Sequence, residues 1–164
     1  MLLSIATLQL YAQHDVPPSS EFVVSGAVKK VLKLSIKDLG DMKQDNLGDI
    51  VIRNHKGEPK STAKQLKGVL LKTILERAEI TAEKPKEYSE YVILLTATDD
   101  YRNVYSWNEL FNTDIGNHVY IVTEMDGQSI GQMTDRILVL SLADMNSGSR
   151  HLRGLAKIEV KKMP

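Results

Sequence analysis

The sequence predicts a single α+β domain. Three observations carry that reading: many short β-type runs bounded by turn residues, a few isolated helical segments between them, and no alternating strand–helix ladder. A chain of 164 residues fits one domain. A domain of that size buries roughly two-thirds of its unfolded surface and needs no staple.

The elements follow in order. Met1 to Gln13 (MLLSIATLQLYAQ) is apolar and ends on Ala12-Gln13, as expected of a secretory signal whose positive n-region is missing. The alternative is a buried N-terminal element. On the first reading the protein is exported, to the periplasm or the extracellular space. The run is too short to span a bilayer, and no other segment approaches the roughly 18 apolar residues a transmembrane helix needs. Residues 14–20 hold Pro17-Pro18, which forbid helix and leave an extended tether. The folded domain is expected over 21–164.

Phe22 to Gly26 and Val28 to Leu34 read as short strands. Ser35 and Asp38 form a capping box that starts a short helix running to about Met42. Gly48 to Ile52 reads as a strand. Asn54 to Lys64, polar and holding Gly57 and Pro59, reads as a loop. Val69 to Ala78 carries the clearest helical stripe, through Val69, Leu70, Ile74 and Ala78. Tyr91 to Ala97 is a continuous apolar run, expected as a strand buried on both faces. Ser106 and Glu109 make a second capping box, for a helix to about Phe111. His118 to Met125 alternates as a strand, and Asp126-Gly127 after it is a strong hairpin signal. Arg136 to Leu142 and Gly154 to Val160 complete the strands, separated by the polar loop Ala143 to Arg150.

Twenty-one basic residues balance twenty-one acidic ones, which argues against a broad nucleic-acid or anionic-membrane surface. The chain has no cysteine. Disulfides, thiolate nucleophiles, iron–sulfur clusters and thiolate zinc sites are thereby excluded. Nucleophile-elbow, dinucleotide-binding and Walker patterns are missing as well.

Several stretches carry a resemblance. Ser25-Gly26-Ala27-Val28 precedes Leu34-Ser35-Ile36-Lys37-Asp38-Leu39. Lys67-Gly68-Val69-Leu70-Leu71 opens a helix. Thr98-Asp99-Asp100-Tyr101 follows a central strand. Glu124-Met125-Asp126-Gly127-Gln128 makes a hairpin, and Gly148 to Val160 closes the chain. In order and spacing this series, from about Glu21 to Val160, resembles the molybdopterin-binding domain of the sulfite-oxidase family. The resemblance implies that family's mixed-sheet fold and a pocket for molybdopterin. It also implies a strand cysteine ligating molybdenum, and here Ile52 or Arg53 stands in that place. Neither supplies a soft anionic sulfur. Asp100 replaces the glycine of the family's "Asp-Gly-Tyr" turn.

Three patches are candidates for a ligand. In Ser147 to Arg153 a Gly/Ser loop can turn its amides toward an anion, while Arg150 and Arg153 offer planar forks. The resemblance puts the pterin's phosphate end at Arg150, His151 and Arg153. Arg53, Asn54 and His55 offer donors at a strand end, where the family builds its metal pocket. Asp99 fixes its own turn and Tyr101 can line a pocket. The bland readings are a solvated basic turn, an ordinary polar loop and a plain turn. His55, His118 and His151 make a metal site only if the fold gathers them. Trp107, Phe111 and the tyrosines read as packing.

The expected function is a non-catalytic module that binds a small anionic ligand, a pterin among the candidates, in the former cofactor pocket. No metal or catalytic residue is assigned. The first alternative is a scaffold that binds a protein partner without cofactor. The second is a molybdopterin-dependent oxidoreductase with no protein sulfur ligand. No nucleic-acid partner and no membrane span are expected.

Overall fold

The structure, a computed structural model, describes residues 16–164. The expected signal run lies outside the described residues. In chain order the first elements are β1 (Glu21–Gly26), β2 (Leu32–Ser35), α1 (Ile36–Gly40), β3 (Asp45–Arg53), β4 (Pro59–Leu70) and α2 (Leu71–Ala78). There follow β5 (Tyr91–Ala97), β6 (Arg102–Ser106), α3 (Trp107–Phe111), β7 (Val119–Met125), β8 (Gln128–Ser129), β9 (Leu138–Ser141), β10 (Leu152–Arg153) and β11 (Leu155–Lys162).

These strands make two sheets. The first runs β2-β1-β11-β5-β6, with β1 parallel to β11 and its other pairs antiparallel. The second runs β10-β9-β7-β4-β3, antiparallel throughout, with β8 added beside β7. The main core takes Phe22, Val24, Ile93, Leu95 and Ile158 from the first sheet and Val119, Ile121 and Val139 from the second. Ile74 and Leu75 of α2 join it. Each fully buried aliphatic or phenyl side chain contributes about 1.5–3 kcal/mol. A smaller cluster of Ile52, Ala63, Leu66, Val122, Met133, Leu138 and Leu140 packs separately.

Both capping boxes form: Ser35 Oγ accepts from the Asp38 amide, and Ser106 Oγ from the Glu109 amide. At the β7–β8 turn Asp126 and Gly127 both take positive φ, +54° and +75°, as a hairpin turn of the primed type needs.

Four expectations shift. The helix begins at Leu71 because Val69 and Leu70 pair with Ile121 and Tyr120 in the second sheet. The expected loop shrinks to a short turn, because residues 59–64 pair with β3 despite their polar composition. The strand expected from Val28 starts only at Leu32. Tyr91–Ala97 alternates between buried and half-buried, and β7 is the strand whose first five residues are all buried.

Candidate functional site

An open cleft of about 1200 Å³ lies where the end of the β3–β4 hairpin meets the Thr98–Tyr101 turn and the Ser147–Arg153 segment. Its floor includes Ile52, which is 3% exposed. Ile52 pairs with Ser61 and Arg53 with Pro59, so Lys60 is the extra residue of a β-bulge. That bulge lets Lys60 and Ser61 both line the cleft. Successive residues of a regular strand would point to opposite faces.

The same alternation turns Arg53 away. Its guanidinium Nη1 donates to the Gly57 carbonyl at 2.9 Å. Asn54 Oδ1 accepts from the amides of Lys56 and Glu58, and the His55 carbonyl accepts from Asn146 Nδ2 at 3.3 Å. Arg53, Asn54 and His55 therefore build the hairpin turn and do not line the cleft.

The second wall is the Thr98–Tyr101 turn. Asp99 Oδ1 accepts from the Tyr101 amide at 3.0 Å, and Asp100 takes φ +65°. The left-handed conformation that the family's glycine suits is present here with an aspartate in it. The Tyr101 hydroxyl donates to the Ser149 carbonyl at 2.7 Å and so ties this turn to the third wall.

The third wall approaches β3 closely. The Arg53 amide donates to Ser147 Oγ at 3.2 Å. A Cβ on Gly148 would stand 2.5 Å from the Arg53 carbonyl oxygen, so only glycine allows this contact. Of the basic residues in this segment, His151 and Arg153 line the cleft. Arg150 is spent elsewhere. Its guanidinium pairs with Asp144 and Glu109 and lies 4.5 Å from the Tyr105 ring centroid.

The Val16–Ser19 stretch, expected as a tether, is packed. Val16 and Ser19 are buried, Ser19 bridges to Arg136, and the Pro17 carbonyl accepts from Thr98 Oγ1 at 2.5 Å. Val16, Pro17 and Pro18 form part of the cleft wall.

The cleft gathers charges of both signs. Lys60 and Arg153 are cationic, Asp99 and Asp135 anionic, and Arg153 Nη1 lies 3.7 Å from Asp135 Oδ2. Burial pushes the His151 imidazole down to about 4, with the positive charges of Arg153 and Lys60 adding to the shift. His151 is therefore a neutral imidazole at neutral pH. Its Nε2 is buried and has no hydrogen-bond partner among the described residues.

Of the residues singled out in the sequence, Asp99, Tyr101, His151 and Arg153 meet at this cleft. Lys60 and Asp135 escaped notice. Lys60 depends on a bulge that composition does not signal, and Asp135 sits in a turn with no pattern around it. The histidines are not gathered: His118 Nδ1 is 3.0 Å from the Asp114 carbonyl, and His55 belongs to the hairpin turn. Among the described residues no group of three His, Cys, Asp or Glu side chains could hold a metal ion.

No protein-family model matches the chain, and no curated protein matches its sequence. Its fold does have a counterpart. The crystal structure of the sulfane dehydrogenase SoxCD from Paracoccus pantotrophus aligns with a TM-score of 0.59 over 85% of this chain, at 11% sequence identity. The fold is the sulfite-oxidase type. The alignment takes in 37% of the SoxCD chain, so this protein corresponds to little more than a third of it.

Molybdenum held by a protein thiolate, the cofactor arrangement that this fold type implies, does not fit the residues present. The chain has no cysteine, and the buried side chain at the end of β3 is the hydrocarbon of Ile52. A soft metal centre finds no matching donor there.

Proposed function

We propose that this protein is a non-catalytic binding module that holds a small anionic ligand in the cleft. The observation that carries the reading is the convergence of Lys60, His151 and Arg153 on one cleft.

The rest of the cleft supports a narrower class. Asp99 and Asp135 can accept from an N–H edge, while Ile52 and the Val16–Pro18 wall offer apolar contact to a flat ring. A heterocycle with donor N–H groups and an anionic tail matches that division. A pterin phosphate is such a molecule. SoxCD is named as a sulfane dehydrogenase; for this chain the fold supports a shared architecture alone.

Calorimetric titration with neopterin monophosphate and with inorganic phosphate tests the proposal. Saturable binding of the first, weakened at least several-fold by Lys60→Ala and by Arg153→Ala, supports it. Absence of heat with both ligands, or wild-type affinity in both variants, overturns it. An exported location is a further part of the proposal and rests on the Met1–Gln13 composition. Mass spectrometry of the mature N terminus decides it, since an intact Met1 defeats that reading.

A further inference from the structure

A second concavity, of about 400 Å³, lies between the C-terminal end of α2 and α3, away from the cleft. That volume falls in the range of small-molecule sites. Its apolar lining comes from Leu75, Ile80, Tyr88, Trp107 and Phe111. Leu75 is fully buried and gives a fixed floor. The three rings form a column, with Trp107 between Tyr88 at 4.8 Å and Phe111 at 5.2 Å, both at 18° between planes. Such a column is a rigid wall, because each ring holds its neighbour in place.

The rim charges distinguish two carboxylates. Glu79 is held by Lys29 at 3.5 Å and by a hydrogen bond from Lys30. Glu76 also lines the groove, is exposed, and has no ion-pair partner among the described residues. Both carboxylates stand at the C-terminal end of α2, where the helix dipole adds partial negative charge. Lys29 lines the groove together with Glu76 and Glu79, so its lining carries one net negative charge, and with its aromatic wall it complements an amphipathic cation.

We infer that this groove is a second binding site, taking a small organic ammonium ion whose apolar body packs along the Tyr88–Trp107–Phe111 wall and whose charge pairs with Glu76. The site is independent of the anion cleft, so neither reading depends on the other.

Trp107 is the sole tryptophan of the chain, so its fluorescence reports on the groove directly. The experiment titrates the whole protein with phenethylammonium, and in parallel with neutral phenethyl alcohol. The expected result is a saturable change in Trp107 emission with the ammonium ion, at least five-fold weaker binding of the alcohol, and the same weakening when Glu76→Gln is titrated with the ammonium ion. Glu76 is an exposed helix position, so an unchanged melting curve separates lost affinity from lost fold. Three results overturn the inference: no saturable change, equal binding of the two probes, or wild-type affinity in Glu76→Gln. An emission change that follows protein concentration without ligand assigns the groove to a second copy of the chain and overturns it as well.

Discussion

Arg150 and Asp144 form a two-point ion pair, with Nε 2.7 Å from Oδ2 and Nη2 2.5 Å from Oδ1. Arg150 Nη1 also donates to Glu109 Oε1 at 3.2 Å, and Glu109 is the acidic member of the α3 capping box. This arginine therefore anchors the loop before β10 to the start of α3. Arg150→Ala is expected to destabilise the domain by about 2–3 kcal/mol, since it leaves a mostly buried carboxylate unpaired. Urea unfolding measures the loss. Anion affinity of the folded variant should match wild type, because Arg150 does not line the cleft.

Arg153 is the contrasting case. Its pair with Asp135 is long, at 3.7 Å, and its side chain is 46% exposed. Exposed pairs of this kind contribute roughly 0–1 kcal/mol. Arg153→Ala should keep the melting temperature within a few degrees and still weaken phosphate binding several-fold, as calorimetry would show.

His151 gives the domain a pH dependence. Its folded value of about 4 lies below the ordinary 6.5, so between those values the unfolded chain binds the extra proton. The stabilising contribution is complete above pH 6.5 and is lost as pH falls toward 4. The full loss is on the order of 3 kcal/mol. Urea midpoints at pH 7 and pH 4.5 should differ more for wild type than for His151→Leu. Equal slopes would contradict the assignment.

Gly148 carries the closest backbone approach at the cleft. With a Cβ 2.5 Å from the Arg53 carbonyl oxygen, Gly148→Ala must push the loop off the hairpin end. The expected cost is about 1–3 kcal/mol, with weaker ligand binding because two cleft walls separate. Thermal unfolding and calorimetry together read both effects.

Much of the fold was legible in the sequence because local chemistry decides it. Ser35 with Asp38, Ser106 with Glu109, and Asp126-Gly127 each satisfy their own backbone groups, and all three form as expected. The site was legible only in part. Residue type marked Arg150 and Arg153 alike as anion donors, but Asp144 captures the first and leaves the second at the cleft. Arg53 was a donor in the right segment on the wrong face of a strand. Lys60 reaches the cleft through a bulge set by long-range pairing between β3 and β4. Such facts belong to register, which composition does not encode.

Amide chemical-shift mapping during titration with inorganic phosphate locates any bound anion directly. The account predicts saturable shifts at Lys60, Ser61 and His151 to Arg153, with Lys29 and Glu76 unmoved. Shifts confined to other surfaces, or none at saturating phosphate, would contradict it.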